Sequence, residues 1–366
     1  MKILIPVLGF GRSGGYRVLA KFANELIEIG HEVAFLSPDG SEDPYYPTIA
    51  KILWINSKTS ISTTKQSKET NDGAISIQIK LLKGLKRISK HYDIFLGNHS
   101  LTMLPIKLSG NLKKAVYYVQ AYEPDYYKEI GGFKNNILAL LSSMTYSMNV
   151  FTIVNSELYK NYKKLKCRNV LYPGIDHTLF FPKQNKETAT NNRIVIGTVG
   201  GGGVFKGTQY VINAFKEIKK IYSNVELRIA FGEKVLEKID GIYVVYPDGD
   251  ENLGKFYRSL NYYICGNYSQ TGAFHYPVVE AMASGVTLIT TEYYPANKYN
   301  SWQVSPKNQS DILSKFQEAH LNQQEQISKI KQGLNDIKQF EWKLAGKRLE
   351  GYLFEALNNI NGTDLK

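Results

Sequence analysis

The sequence predicts an α/β protein made of two Rossmann-like domains. Two stretches, beginning at Lys2 and Ile194, each run from an apolar strand through a glycine-rich turn into an amphipathic helix and a further strand. Such strand–helix–strand units form parallel sheets. A polar segment at 183–193, KQNKETATNNR, separates the two stretches and is typical of an interdomain linker. The length of 366 residues also favours two domains.

The composition is that of a globular protein. Hydrophobic residues make up 43% of the chain and charged residues 21%, which excludes a disordered or fibrous protein. No apolar run is long enough for a membrane-spanning helix, and the N-terminal run is too short for a signal peptide. Cys167 and Cys265 form no metal or redox motif, so we expect a reducing, cytoplasmic compartment.

The elements of the first half follow from its apolar spacing. Lys2–Leu8 predicts a strand, Gly9–Gly15 a turn, Tyr16–Ile29 a helix and His31–Leu36 a second strand. Further along, a mobile polar loop is expected at 56–73, a helix at 75–91, and strands at 94–97, 115–120 and 151–154.

The second half repeats the pattern. Ile194–Val199 predicts a strand, Gly200–Gly203 a turn, Thr208–Ile221 a helix and Val225–Ala230 a strand. A last helix is expected at 341–358.

Gly9, Gly11 and Gly14 form a G-x-G-x-x-G pattern between a strand and a helix. This pattern indicates a dinucleotide-binding enzyme, so an NAD(P)-dependent oxidoreductase stays an alternative. The acidic residue that should end the second strand is late in the sequence, at Asp39. The turn would equally suit any ligand whose phosphate or sugar approaches the backbone.

The second glycine run leads to Lys206 at the entrance to a helix. Backbone amides, a helix N-terminus and a lysine together favour a phosphate site, although a tight turn with a solvated lysine is the simpler alternative. Glu280 is expected early in a short apolar helix that ends at Gly285, where the helix dipole would keep it ionised and able to accept from a ribose diol. The alternative is a plain N-terminal helix charge.

The net charge of +12 is uneven, since residues 1–182 carry 23 Lys and Arg against 14 Asp and Glu, a balance of +9. An anionic partner is therefore expected, and we predict no nucleic acid. The predicted helix at 75–91 places four cations on one face, which with the loop at 56–73 would contact an anionic membrane or a lipid-diphosphate acceptor: Lys80, Lys83, Arg87 and Lys90. A solvated face of an ordinary helix is the alternative.

Several short motifs, in order, resemble one enzyme family: Gly14-Gly15, Gly30 to Val33, Val154 to Glu157, Pro173 to Asp176 with Phe180, Lys206-Gly207, Phe274 to Gly285, and Phe340 to Trp342. The chain resembles the retaining glycosyltransferases of the GT-B fold, of the family 4 type that builds bacterial surface polysaccharides. The resemblance implies two Rossmann-like domains facing across a cleft, with an acceptor domain at 1–182, a donor domain at 194–340 and a C-terminal helix at 341–358 that returns to the first domain.

The resemblance also implies a chemistry. A sugar would pass, with retention, from a nucleotide-diphosphate sugar to a lipid-linked or glycan acceptor, without metal or other cofactor. The protein would be cytoplasmic or peripheral on the inner face of the cell membrane. The implied catalytic residues are Lys206, Glu280, Gln120 and Glu123. The implied donor-binding residues are Gly14, Gly15, Gly201, Gly202, Gly203, Lys206, Gly272, Phe274, His275 and Glu280.

The chain departs from the family pattern at three positions. Gly272 stands where the family has the first of two glutamates, and Gly201 stands where it has an arginine. Gln120 replaces a histidine, and the run Gln120 to Pro124 resembles a subgroup that includes rhamnosyltransferases. A non-catalytic sugar- or lipid-binding subunit of the same fold is therefore a further alternative.

Overall fold

The computed structural model describes residues 1–66, 72–167, 169–183, 193–201 and 203–363. The chain forms two compact units: a first unit of Met1–Gly174 with Trp342–Lys366, and a second unit of Ile175–Glu341. The division therefore falls at Gly174 rather than near 182, because the Ile175 amide donates to the carbonyl of Phe340 at 2.8 Å and joins the second unit. Most of the expected linker at 183–193 lies outside the described residues.

The first unit contains an eight-stranded sheet in the order β4-β3-β2-β1-β5-β6-β7-β8, parallel except for β4 against β3. Its strands are β1 (Lys2–Pro6), β2 (Glu32–Pro38), β3 (Lys51–Ile55), β4 (Ile61–Ser62), β5 (Ile94–Gly97), β6 (Ala115–Val119), β7 (Phe151–Val154) and β8 (Asn169–Val170). Its helices are α1 (Gly14–Glu28), α2 (Ala74–Ile88), α3 (Ser100–Leu108), α4 (Glu123–Ile130), α5 (Phe133–Thr145) and α11 (Trp342–Thr363).

Apolar burial explains this arrangement. The side chains of β1 after Lys2 and all those of β5 are buried, as expected for central parallel strands covered on both faces. Helix α1 buries Leu19, Phe22, Ala23 and Leu26, which recur at helical spacing. It begins at Gly14, two residues before the expected start, with Ser13 as N-cap residue.

The C-terminal helix α11 belongs to the first unit. The ring of Trp342 meets Phe22 of α1 edge-on, with centroids 5.5 Å apart. Further along, the imidazole Nε2 of His31 lies 2.9 Å from the carboxylate of Glu350. These contacts attach α11 to α1 and to the start of β2.

The second unit contains a parallel six-stranded sheet in the order β11-β10-β9-β12-β13-β14. Its strands are β9 (Ile194–Val199), β10 (Val225–Ala230), β11 (Ile242–Val245), β12 (Tyr262–Cys265), β13 (Thr287–Thr290) and β14 (Trp302–Gln303). Its helices are α6 (Thr208–Ile221), α7 (Gly249–Arg258), α8 (Tyr276–Ala283), α9 (Gln309–Leu321) and α10 (Gln323–Asp336).

The six strands from β3 to β7 in the first sheet, and all six strands of the second, have the Rossmann order 3-2-1-4-5-6, with β1 and β9 as first strands. In each, the order reverses beside the first strand, between β1 and β5 and between β9 and β12. Ligands of such sheets bind at the carboxyl ends of the strands, at this reversal point. Both predicted glycine turns lie there. Within the described residues, no helix is long and apolar enough to cross a membrane.

Candidate functional site

The second glycine turn brings a lysine to the reversal point of the second unit. After β9 the chain passes Gly201, with φ of +128°, and reaches Lys206 in a short 3-10 turn. Gly207 then adopts a left-handed conformation and α6 begins. A Cβ on Gly207 would lie 1.9 Å from the carbonyl oxygen of Gly266, after β12, so only glycine allows the two loops to approach. Gly202 lies outside the described residues.

Lys206 is half-buried above this turn, with its Cε 3.9 Å from where a Cβ of Gly201 would stand. Burial lowers the pKa of Lys206, while the acidic groups of Cys265 and Glu280 act in the opposite direction. A partly desolvated cation next to a helix N-terminus is suited to bind an anion.

Glu280 lies in the second turn of α8 rather than in its first turn, so the expected stabilisation by the helix dipole does not apply. Its side chain is 2% exposed. The hydroxyl of Tyr257, on α7, donates to the Glu280 carboxylate at 2.9 Å. The structure thus brings Glu280 close enough to Lys206 to affect its pKa, although the two are more than seventy residues apart in the sequence. Tyr257, which hydrogen-bonds the carboxylate, was not identified from the sequence.

The loop before α8 is tightly bonded to its own unit. The Gly272 amide, at φ of +92°, donates to the carbonyl of Glu292, so this N–H already has a partner within the second unit. The Phe274 ring is buried and packs edge-on against Phe340 and Tyr276. Any contact of Phe274 with a donor therefore has to come from its backbone.

His275, which precedes α8, is held in its neutral form. The side-chain amide of Asn267 donates to its Nε2 at 3.0 Å. The His275 ring stacks on Tyr293, with ring centroids 4.4 Å apart. Burial, and then the charge of Lys206, lower the pKa of His275 to about 3. His275 is therefore an uncharged hydrogen-bonding group at neutral pH.

Thr208 is a further polar group at this point that the sequence analysis missed. It is the first residue of α6, and its buried hydroxyl oxygen has no hydrogen-bond partner among the described residues. Buried polar atoms are nearly always paired in folded proteins, so an unpaired hydroxyl two residues after Lys206 suits a ligand. The sequence could have indicated Thr208, because it is a hydroxyl residue at the start of a helix that follows a glycine run.

In the first unit, the predicted residues Gln120 and Gly15 meet. Gln120 follows β6, and its side-chain amide donates to the carbonyl of Gly15 in the first turn of α1 at 3.3 Å. Asn155 follows β7, and its side-chain amide donates to the backbone carbonyl of Gln120 at 2.8 Å. Gly14 is the first residue of α1. These groups lie at the carboxyl edge of the sheet.

Glu123, the first residue of α4, forms a second polar group with residues that the sequence analysis missed. Tyr146 donates to its carboxylate, and the His99 Nε2 lies 3.7 Å away. Because the His99 Nδ1 accepts from the Leu101 amide, its Nε2 carries the proton and faces Glu123. Burial raises the pKa of Glu123, partly offset by His99 and by hydrogen bonds from Tyr146 and Ser100.

The first glycine turn lines an open cavity of about 720 Å³, bordered by Gly9, Gly11 and Arg12. The acidic residue expected after β2, Asp39, is fully buried, and the ammonium of Lys80 lies 3.5 Å from its carboxylate. A dinucleotide enzyme needs this carboxylate for the ribose. The geometry therefore gives no support to the oxidoreductase alternative.

The structure corrects the prediction that Lys80, Lys83, Arg87 and Lys90 form one basic helix face. Lys80 is 5% exposed and pairs with Asp72 at 2.7 Å as well as with Asp39, so it does not belong to a surface. Lys83, Arg87 and Lys90 are exposed, and Arg87 donates to the Thr59 carbonyl. The predicted helix at 75–91 contained all four cations, but α2 ends at Ile88 and Lys80 is buried. Of the four, Lys83 and Arg87 are therefore surface cations of α2, and Lys90 lies beyond its end.

Among the described residues, no cluster of three or more histidine, cysteine or acidic side chains is placed to hold a metal ion. The two cysteines are free thiols and buried.

The family "Glycosyl transferases group 1" matches residues 193–321, which contain Lys206, His275 and Glu280. Solved structures extend the likeness to nearly the whole chain. A sucrose-phosphate synthase from Thermosynechococcus elongatus is 14% identical, with a TM-score of 0.77 over 98% of this chain and 99% of that one. Anabaena HepE, solved with UDP and glucose, is 12% identical, with a TM-score of 0.70 over 97% and 99%.

WaaG, a glycosyltransferase involved in lipopolysaccharide biosynthesis, is 13% identical, with a TM-score of 0.70 over 98% of this chain and all of that one. No curated protein matches the sequence. The GT-B fold class predicted from the sequence is confirmed.

Proposed function

We propose that this protein is a glycosyltransferase whose second unit binds a nucleotide-diphosphate sugar. The observation that carries the proposal is the meeting of Lys206, Glu280 and neutral His275 at the reversal point of that unit's sheet. The match to the glycosyl transferase group 1 family covers the same residues. HepE, of the same fold, was solved with UDP and with UDP-glucose, which supports a nucleotide sugar as donor.

In the proposed reaction, Lys206 binds the diphosphate and the Thr208 hydroxyl adds a donor to the same group. As the bond between the anomeric carbon and the diphosphate oxygen breaks, negative charge grows on the leaving group. A cation fixed beforehand stabilises that charge without reorganisation. The acceptor hydroxyl then bonds to the anomeric carbon and releases its proton.

Glu280 is proposed to bind the ribose of the donor. Tyr257 orients its carboxylate, and the remaining acceptor capacity of a carboxylate suits a vicinal diol. Gln120 and Glu123 of the first unit are proposed to contact the acceptor, with Glu123 accepting its proton. Because burial raises the Glu123 pKa, the carboxylate is a stronger base than an exposed glutamate. Retention, metal independence and a lipid-linked or glycan acceptor complete the proposal.

The first test is binding. Thermal shifts with UDP-, GDP- and dTDP-sugars identify the donor, since a ligand that binds only the folded state raises its melting temperature. Calorimetric titration of the matching nucleoside diphosphate then compares wild type with Lys206→Ala and with Lys216→Ala, an exposed lysine of α6 that serves as control. Loss of affinity in the first variant alone is expected. Equal affinities in all three proteins would remove Lys206 from the site.

The second test is transfer. The full chain is incubated with the radiolabelled donor and a membrane extract, with and without a chelator. Label in the lipid or glycan fraction is expected, unchanged by the chelator. Tight donor binding without transfer would instead favour the non-catalytic alternative, which the absent side chains at Gly201 and Gly272 make worth testing.

A further inference from the structure

Helix α5 turns its apolar side chains toward solvent. Five large apolar residues on it are exposed: Phe133, Ile137, Leu140, Leu141 and Met144. Phe133 is 83% exposed, Leu140 63% and Met144 62%. With about 100° of rotation per residue, their positions share one face of the helix and cover an arc of about 100°. Ile130, at the end of α4, adds a sixth exposed apolar side chain.

The opposite face of α5 is small and polar, and it is the face that packs on the protein: Ala139, Ser142, Ser143 and Thr145. The hydroxyl of Ser100 donates to that of Ser142 at 3.0 Å, and the ammonium of Lys164 donates to that of Ser143 at 2.9 Å. A surface helix normally buries its apolar stripe against the core. The reversed orientation of α5 marks a contiguous exposed apolar patch, and such patches are interaction surfaces.

Lysines lie on helix α5 and beside it. Lys134 lies on α5 itself, Lys164 is held against the helix through Ser143, and Lys163 beside it is exposed. The segment 128–168 carries seven Lys and Arg against two Asp and Glu, which is over half of the charge excess of the first 182 residues. Helix α5 contains no acidic residue. An exposed apolar stripe on a helix without acidic residues, in a segment rich in lysine, has the composition of helices that lie in the interface of an anionic bilayer.

We propose that the α5 face docks on the surface of an anionic phospholipid bilayer. The α5 face is defined by its six exposed apolar residues, Ile130, Phe133, Ile137, Leu140, Leu141 and Met144, and by the cations Lys134, Lys163 and Lys164. A second copy of the chain fits less well, because six apolar residues fall short of the 20–30 that each side of a stable interface contributes, and because the two sets of lysines would repel. The proposal goes beyond the proposed function and does not rest on it.

Vesicle co-sedimentation of the full chain tests the proposal. Wild type is expected to bind vesicles of phosphatidylglycerol and phosphatidylcholine, and to bind pure phosphatidylcholine at least tenfold more weakly. The double variant Leu140→Asp with Met144→Asp should bind the anionic vesicles at least tenfold more weakly than wild type. The matched control is Val235→Asp with Leu321→Asp, since both are exposed aliphatic residues of the second unit, and it should bind within about twofold of wild type.

A charge variant and a fluorescent variant make the test specific. Lys134→Gln with Lys163→Gln should weaken binding by about fivefold for each lysine near the anionic surface. Phe133→Trp should gain a blue-shifted emission with anionic vesicles, and brominated lipid should quench it. Circular dichroism and melting temperature verify that each variant folds.

Three results would overturn the proposal. One is a folded Leu140→Asp, Met144→Asp variant that sediments with anionic vesicles like wild type. Another is equal binding to neutral vesicles. The third is a wild-type dimer in analytical ultracentrifugation that dissociates in this variant, since the face would then be covered by a second copy.

Discussion

Lowering the pH from 7.5 to 5.0 should destabilise this protein through His275. Its pKa is about 3 in the folded chain, from burial first and from the charge of Lys206 second, against 6.5 for an ordinary histidine. Between these two values the unfolded chain binds a proton that the folded chain does not. The contribution of His275 to stability is therefore complete above about pH 7 and declines as the pH falls below 6.5.

The magnitude follows from the two pKa values. At pH 7.5 the linkage contribution is negligible, and at pH 5.0 it disfavours the folded state by about 2 kcal/mol. The magnitude is set mainly by the ordinary histidine value of the unfolded chain, because the folded pKa lies well below the lower pH of the comparison. At that pH an ordinary carboxyl group stays largely ionised, which limits the contribution of other groups.

Urea titrations of the full chain at both pH values measure the effect in wild type and in His275→Gln. Glutamine keeps an oxygen that can accept from Asn267, although it loses the ring stacking on Tyr293, so the variant is expected to be less stable at pH 7.5. The informative quantity is the change between the two pH values, which should be about 2 kcal/mol smaller in the variant. The exposed His91→Gln is the matched control. If His275→Gln loses as much stability on acidification as wild type does, His275 is not held neutral.

Three further predictions concern the second unit. Lys206→Ala should weaken nucleoside-diphosphate binding by one to two orders of magnitude in calorimetry, since bonds to a charged group contribute roughly 1.5–3 kcal/mol; an affinity within twofold of wild type would contradict this. Glu280→Gln should keep the melting temperature, because an amide oxygen can still accept from Tyr257, and should lower donor affinity about fivefold by loss of the charge. A normal affinity with a lower melting temperature would make Glu280 a structural residue. Gly207→Ala should lower the free energy of unfolding by about 3 kcal/mol, because Gly207 has a positive φ and a Cβ there would clash with the carbonyl of Gly266. The control Gly351→Ala has open space around it and should not lower the free energy of unfolding.

The strands and helices on either side of both glycine turns could be predicted from the sequence, because central parallel strands are continuous apolar runs bounded by glycine. Strands β3, β11 and β12 and helices α3, α4, α7, α9 and α10 were not predicted. Strand 194–199, helix 208–221 and strand 225–230 have the bounds that the sequence predicts. Helix α5 was not predicted. Its buried face is small and polar, and apolar spacing shows that a stripe exists but not whether the stripe faces the core.

The polar partners of the candidate site could be predicted only in part. The lysine at the glycine turn and the glutamate of α8 are local sequence signals. Their neighbours are not, since Tyr257 reaches Glu280 from another helix and His99 reaches Glu123 from the N-cap of α3. For the same reason Lys80 was wrongly taken as a surface cation: its carboxylate partner Asp39 is distant in sequence.

The charges around Lys206 suit it to the proposed diphosphate site, although Gly201 offers no side chain there. Lys206 lowers the pKa of His275, so its own charge helps to keep the neighbouring ring neutral and able to accept from Asn267. Glu280 opposes the effect of burial on the Lys206 pKa, which favours the charged lysine. A bound diphosphate would add negative charge to the same point and favour that form further. The buried carboxylate of Glu280 therefore has two consequences: it faces the proposed ribose, and it helps Lys206 stay protonated before the donor arrives.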